Sequence, residues 1–104
     1  MTATIDELRQ YCGIDVDDDP LINANLNRAL MSAHELVLGA VGRDIETYIP
    51  GDARLTELEL IRGEELYTRG ATSAKMSNAK QELIFSLEEQ LRLELRRAKA
   101  EAAT

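Results

Sequence analysis

Tryptophan is absent from this sequence, and aromatic side chains make up only 4% of its 104 residues. A hydrophobic core must therefore be built from aliphatic side chains. Helices accept such a composition more readily than strands, because strands favour β-branched and aromatic residues. A chain of this length supplies one modest core and is too short for two. The composition thus predicts an all-α fold with a single domain.

Long apolar runs and a leader segment are also missing. No stretch approaches the roughly 20 apolar residues that a membrane-spanning helix requires. The start of the chain has neither the basic residues nor the apolar stretch of a signal peptide. Cys12, the single cysteine, cannot form a disulfide within the chain, which suits a reducing compartment. These absences predict a soluble protein made in the cytoplasm, without a membrane partner.

Residues that carry chemistry are few. His34 is the single histidine, which excludes a metal site built from several histidines and favours a place on or near a helix surface. Cys12 is expected to be a small, buried side chain. The acidic run at 15–19 begins like a calcium loop, but Pro20 stands where that loop requires glycine, so helix capping is the better interpretation. We therefore expect no catalytic residue, cofactor or metal site, and hence no enzyme.

Basic side chains are scarce in the first half of the chain. Residues 1–52 hold ten acidic and three basic side chains, whereas residues 53–104 hold nine of each, and the formal net charge is −7. Proteins bind duplex DNA by placing lysine or arginine beside its phosphates, so the first half is a poor DNA-binding surface. An acidic surface would instead repel a passing duplex without gripping it.

Apolar residues at helical spacing, together with capping signals, predict four helices. Thr4 and Glu7 form a capping box at the first helix, and Asp19 with Pro20 begins the second. The predicted helices span 4–12, 20–41, 53–69 and 77–102, with a loop at 42–52, a stop at Gly70 and a flexible connection at 71–74. The first three would form a core at 1–74. The long C-terminal helix and tail, 75–104, would belong to the same domain.

Two of these helices carry more apolar residues than one stripe accommodates. The stripes are Leu55, Leu58, Ile61 and Leu66 in the third helix, and Leu83, Ile84, Leu87, Leu91, Leu95 and Ala98 in the fourth. Leu60, Tyr67, Phe85 and Leu93 fall outside these stripes. Surplus apolar residues of this kind form a partner surface or are covered by a neighbouring loop, and both interpretations stay open.

The end of the fourth helix is charged. Its last turns, 92–103, are predicted to extend beyond the core. The basic side chains there are Arg92, Arg96, Arg97 and Lys99, interleaved with glutamates. That spacing is typical of solubilising ion pairs along a helix, and it also suits a binding tail.

The order of these features resembles the head–tail connector family of tailed bacteriophages, also called adaptor or head-completion proteins. The resemblance covers about residues 4–70. Its segments are Ile5-Asp6-Glu7-Leu8-Arg9, Gly13-Ile14-Asp15 before Pro20-Leu21-Ile22, Ala40-Val41-Gly42-Arg43, Pro50 in the following loop, and Leu66-Tyr67-Thr68-Arg69. After Gly70 the chain departs from the family, because a long charged helix stands where many members have a compact ending.

The resemblance implies a structural virion protein at the head–tail interface, assembled in the host cytoplasm. Members of the family form a dodecameric ring below the portal and receive a stopper or tail-completion protein on the other side. DNA passes through the ring without sequence-specific binding. On this basis Leu60, Tyr67, Phe85 and Leu93 are expected at contacts between subunits. Arg92, Arg96, Arg97 and Lys99 are expected to contact the portal.

Two other classes of protein stay open. A small helical regulator of DNA binding or packaging, similar to a terminase small subunit, would need a basic stripe on its recognition helix, and the second and third helices have none. A helical interaction or chaperone protein would form a stable dimer through the fourth helix. An enzyme is disfavoured because no catalytic constellation is apparent.

Overall fold

The computed structural model describes residues 1–68 and 77–104, and within these ranges every regular element is a helix. The helices are α1 (Ile5–Tyr11), α2 (Pro20–Val41), α3 (Ile45–Tyr48), α4 (Ala53–Thr68) and α5 (Asn78–Ala102). The all-α prediction is confirmed, and each of the four predicted helices is present. The predicted helix end at Arg69, the stop at Gly70 and the connection at 71–74 lie outside the described residues.

Side-chain caps begin the helices where the sequence predicted them. Thr4 accepts a hydrogen bond from the Glu7 amide, and the Glu7 side chain accepts one from the Thr4 amide, which completes the capping box. The Asp19 carboxylate accepts from the amides of residues 21 and 22, and Ser77 caps α5. These contacts satisfy amides that have no partner within the helix. The acidic run therefore serves helix capping at Asp19, as expected.

The helix α4 lies at the centre of the fold. One side of it packs against α1 and α2, and α5 packs against α2, α3 and α4. One buried cluster joins α2, α3, α4 and α5 through Val37, Val41, Ile45, Leu55, Leu58, Ile61, Ile84, Leu91 and Leu95. A second cluster joins α1, α2 and α4 through Ala3, Leu8, Leu26, Ala29, Leu30 and Leu60. The two clusters explain why the third predicted helix is apolar on two sides.

This central position corrects two assignments in α4. Leu60 was expected to be surplus to the core, but it is 9% exposed and belongs to the second cluster. Leu66 was placed on the stripe of Leu55, but it packs against the second cluster instead. Both side chains lie on the side of α4 that α1 and α2 cover.

Three further expectations were wrong. The segment 42–52 was predicted to be a loop, yet it contains α3, because Ile45 is fully buried and holds one helical turn against α5. Leu83 was placed in the core stripe but is 44% exposed, since it lies about 100° around the helix from Ile84. The end of α5 was expected to project from residue 92, but Leu95 is buried, so the exposed end is 100–104.

The turn between α2 and α3 depends on Gly42, and this yields a first prediction. Its φ is +131°, and an added Cβ would lie 2.5 Å from Cδ2 of Leu95. We expect Gly42→Ala to lower the free energy of unfolding by about 1 to 3 kcal/mol, measured by urea denaturation. Gly39→Ala is the control, because Gly39 is an exposed residue within α2 whose Cβ would meet nothing. Equal stability of the two variants would contradict the argument.

Candidate functional site

The outward face of α5 carries exposed apolar side chains. Phe85 is 64% exposed and Leu93 is 48% exposed. They are eight residues apart, which places them about 80° from each other around the helix, with Glu89 between them on the same side. Two large apolar side chains on one helix face form a surface that a protein partner could cover. The prediction that these two residues lie outside the core is confirmed.

The other two residues expected at subunit contacts have different environments. Leu60 is buried between α4 and the pair α1 and α2, so it needs no partner from another chain. Tyr67 is half-buried and packs against the same cluster. Of the four apolar residues expected at subunit contacts, Phe85 and Leu93 therefore remain as the candidate surface.

The four basic side chains at the end of α5 fall into two pairs. Arg92 donates to the backbone carbonyl of Ala40 at 3.0 Å and to Glu89 at 3.1 Å, so it closes the end of α2. Lys99 contacts Asp44 at 2.8 Å, and its Nζ lies 5.8 Å from the centre of the Tyr48 ring. Both side chains thus bind α5 to the rest of the chain.

Arg96 and Arg97 form the second pair. Both are exposed, and among residues 1–68 and 77–104 neither has a hydrogen-bonding or ion-pair partner. Their guanidinium groups are therefore available for an external anion or carboxylate. The expectation that the four residues contact a portal stays a prediction.

An acidic turn lies at the far end of the molecule. Asp15, Asp17 and Asp18 are exposed immediately before α2, whereas Arg92 packs on the carbonyl of Ala40 at its other end. A helix of 22 residues is about 33 Å long, and the molecule measures 50 Å along its longest axis. Basic and acidic groups that have no ion-pair partner among residues 1–68 and 77–104 therefore stand at opposite ends, with the apolar face of α5 between them.

Ion pairs fix the position of α5 against α4. Lys80 lies 2.7 Å from Glu64 near the start of α5, and Arg54 lies 2.7 Å from Glu94 near its end. Arg54 also donates to Asp52, and this hydrogen bond lowers the pKa of the Asp52 carboxyl, as the Arg54 hydrogen bond does for Glu94. These contacts hold the outward face of α5 in a defined orientation.

A buried carboxylate on α4 links that helix to α2 and to the N-terminal segment. Glu59 is 1% exposed, and its Oε1 accepts from the Thr2 amide at 3.0 Å, the Thr2 hydroxyl at 2.9 Å and the Ala3 amide at 2.8 Å. Its Oε2 lies 2.7 Å from Nδ1 of His34. Glu46, from α3, brings a carboxylate oxygen within 4.8 Å of both residues. Within the described part of the chain, this is the group of side chains that could hold a metal ion.

No sequence pattern predicted this cluster as a whole. His34, Glu46 and Glu59 belong to three helices, and α3 itself was expected to be a loop. Glu59 had one local signal, since it is flanked by Leu58 and Leu60 in a helix that is apolar on two sides. A carboxylate in that position is buried whenever both sides are covered, and a buried carboxylate requires partners.

Cys12 is half-buried beside the second cluster. Burial raises the pKa of its thiol to about 11, with a smaller contribution from the nearby Glu64 carboxylate. The thiolate form is therefore scarce at neutral pH, which agrees with the expected packing role.

Among the helices of the described ranges, none combines the length and apolar character needed to cross a membrane. Comparison of the chain with protein families, with curated proteins and with solved structures gives no match.

Proposed function

We propose that this chain is a structural head–tail adaptor of a tailed bacteriophage, which assembles as a ring below the portal and receives a stopper or tail component on its other side. The observation that carries the proposal is the chemical difference between the ends of the molecule. Arg96 and Arg97 stand at one end without an ion-pair partner in the described part of the chain, and the acidic turn at 15–18 is exposed at the other. An adaptor must bind two different partners, and two different ends suit that task.

The lateral surface would join the subunits of the ring. Phe85 and Leu93 lie on the side of α5, between the basic end and the acidic end. An apolar face on one flank can pack against a different surface of the next copy, and such heterologous contacts close into a ring when the rotation per subunit divides a full turn. The ion pairs between α5 and α4 would keep this face aligned from one subunit to the next.

The basic end would face the portal. Arg96 and Arg97 are free to pair with carboxylates there, whereas Arg92 and Lys99 contribute by holding α5 in place. DNA would pass through the ring without being gripped, because the first half of the chain carries ten acidic against three basic side chains. The function is then structural, in the virion, and involves no catalysis.

Assembly tests this proposal. We expect the purified protein to form a ring, alone or with the portal protein of the same phage, as seen by light scattering and negative-stain electron microscopy. Phe85→Ser with Leu93→Ser should remain a folded monomer, because the change removes the apolar contact and leaves the core intact. Leu36→Ser is the matched control, since Leu36 is 51% exposed on α2, away from the proposed contact.

A wild-type protein that stays monomeric both alone and with the portal would contradict the proposal. Strong, salt-dependent binding to duplex DNA by a monomer or dimer would instead favour the packaging regulator. A stable dimer that does not bind the portal would indicate a helical interaction protein. Such a dimer should dissociate in the variant that combines Phe85→Ser with Leu93→Ser.

A further inference from the structure

The group formed by His34, Glu46 and Glu59 has the composition of a metal site. One imidazole nitrogen and two carboxylate oxygens, contributed by α2, α3 and α4, lie within 4.8 Å of one another. Imidazole together with carboxylates binds divalent transition-metal ions such as Zn²⁺. Exposed carboxylates often lie close together by chance. Here Glu59 is 1% exposed, and the hydrogen bonds that its first oxygen accepts from Thr2 and Ala3 leave its second oxygen beside His34.

The hydrogen bonds of Glu59 orient the cluster. Its Oε1 is occupied by the Thr2 hydroxyl and by the amides of Thr2 and Ala3. Its Oε2 faces Nδ1 of His34. Hydrogen bonds to the second oxygen of a ligating carboxylate are the usual means by which a protein fixes such a ligand. The arrangement therefore fixes one carboxylate oxygen beside one imidazole nitrogen.

We propose that His34, Glu46 and Glu59 bind a divalent transition-metal ion. Tetrahedral ligands at roughly 2.0 to 2.1 Å from zinc are about 3.3 Å apart. The Oε2 of Glu59 and the Nδ1 of His34 are 2.7 Å apart, so they have to separate by roughly 0.6 Å, and the Glu46 oxygen has to approach. Rotation of the partly exposed side chains of His34 and Glu46 accommodates both changes.

A shallow groove beside His34 offers a route for solvent to its imidazole. The groove is lined by Met1, Met31, Ser32, His34 and Glu35. A water molecule entering there can supply the remaining ligand of the ion. The amino group of Met1 donates to Glu46 at 2.9 Å, so the metal would take over the positive charge that the ammonium now provides. The bound ion would cross-link α2, α3 and α4. This inference does not depend on the adaptor proposal.

Metal titration tests the proposal on the untagged, full-length protein after treatment with a chelator. We expect Zn²⁺ to bind with a stoichiometry of one ion per chain by calorimetry, and Co²⁺ to show the visible absorption of a coordinated ion. Glu46→Gln and His34→Gln should each weaken binding by about tenfold or more. Glu46 is partly exposed, so its substitution should leave the helical circular dichroism unchanged.

Two control variants separate this site from other metal ligands. Glu35→Gln changes a carboxylate that lines the groove but is outside the cluster, and Cys12→Ser removes the single thiol. Both should bind Zn²⁺ as the wild type does. Zn²⁺ should also raise the Tm of the wild type and of both controls, because an ion that binds the folded state stabilises it, and should raise the Tm of Glu46→Gln by less at the same concentration.

The proposal is overturned if the wild type fails to bind, or if Glu46→Gln and His34→Gln bind as tightly as the wild type. Loss of binding in Cys12→Ser or in Glu35→Gln would overturn it equally, because the ion would then be held elsewhere. Glu59→Gln provides an independent check. Its amide oxygen can still accept from the Thr2 and Ala3 amides, so a folded variant that binds Zn²⁺ normally would also count against the site.

Discussion

Replacing Glu59 with alanine is expected to lower the free energy of unfolding by about 3 to 5 kcal/mol. The substitution removes the acceptor of three hydrogen bonds, from the Thr2 hydroxyl and from the Thr2 and Ala3 amides, and the partner of His34. The Ala3 amide is buried, so no water replaces the lost carboxylate, and an unsatisfied buried donor is unfavourable by about 1 to 3 kcal/mol. The measurement is urea denaturation in the presence of a chelator, which isolates these hydrogen bonds from any metal.

Two further variants define the source of the effect. Glu59→Gln keeps an acceptor oxygen and should be destabilised by only about 1 to 2 kcal/mol. Glu57→Ala lies on the same helix at a partly exposed position and should change stability by no more than about 0.5 kcal/mol. If Glu59→Ala were as stable as Glu57→Ala, the carboxylate would not be holding the N-terminal segment.

On the adaptor proposal, reversing the charge of both Arg96 and Arg97 is expected to weaken portal binding strongly while the ring still forms. Each Arg→Glu change should weaken the portal complex by about tenfold, which corresponds to about 1.4 kcal/mol, and the double variant by about a hundredfold. Both side chains are exposed and make no hydrogen bond or ion pair within the described ranges, so the fold should tolerate the change. Binding to the portal is measured by surface plasmon resonance at two ionic strengths, since exposed charge pairs weaken with salt.

Arg28→Glu is the matched control for each single reversal. Arg28 is exposed on α2, and its substitution changes the net charge by the same amount at a position away from the basic end. It should bind the portal as the wild type does. A uniform loss of binding in Arg28→Glu and in the α5 variants would show that only net charge matters. Loss of the ring in the double variant would place these arginines between subunits instead.

The helices and their first residues could be predicted from the sequence because their determinants are local. The capping box of Thr4 and Glu7, the Asp19–Pro20 start and the Ser77 cap each lie within a few residues of the helix that they begin. The environments of Leu60 and Leu66 could not be predicted from local sequence. They depend on α1 and α2 packing over α4, which the periodicity of one helix does not reveal.

The residues of the candidate sites also differ in whether their environment follows from local sequence or from the packing of distant segments. Phe85 and Leu93 were identified correctly as outside the core, because their positions follow from the stripe of their own helix. The division of the four basic residues into two anchoring and two free side chains depends on Ala40 and Asp44, which are remote in sequence. Glu59 illustrates the limit most clearly, since its partners come from the N-terminus and from α2.

The sparse burial of α5 has a consequence for the order of events in assembly. Only Ile84, Glu88, Leu91 and Leu95 are buried among its 25 residues, and charge pairs supply much of its attachment. Such a helix opens more readily than the packed pair α2 and α4. A neighbouring molecule that covers Phe85 and Leu93 would add apolar contacts to a long helix that has few buried residues. Binding of a neighbouring molecule would then reduce the local opening of α5. An α5 that is ordered in this way would bind the next molecule more readily, so oligomer formation and helix ordering would reinforce each other.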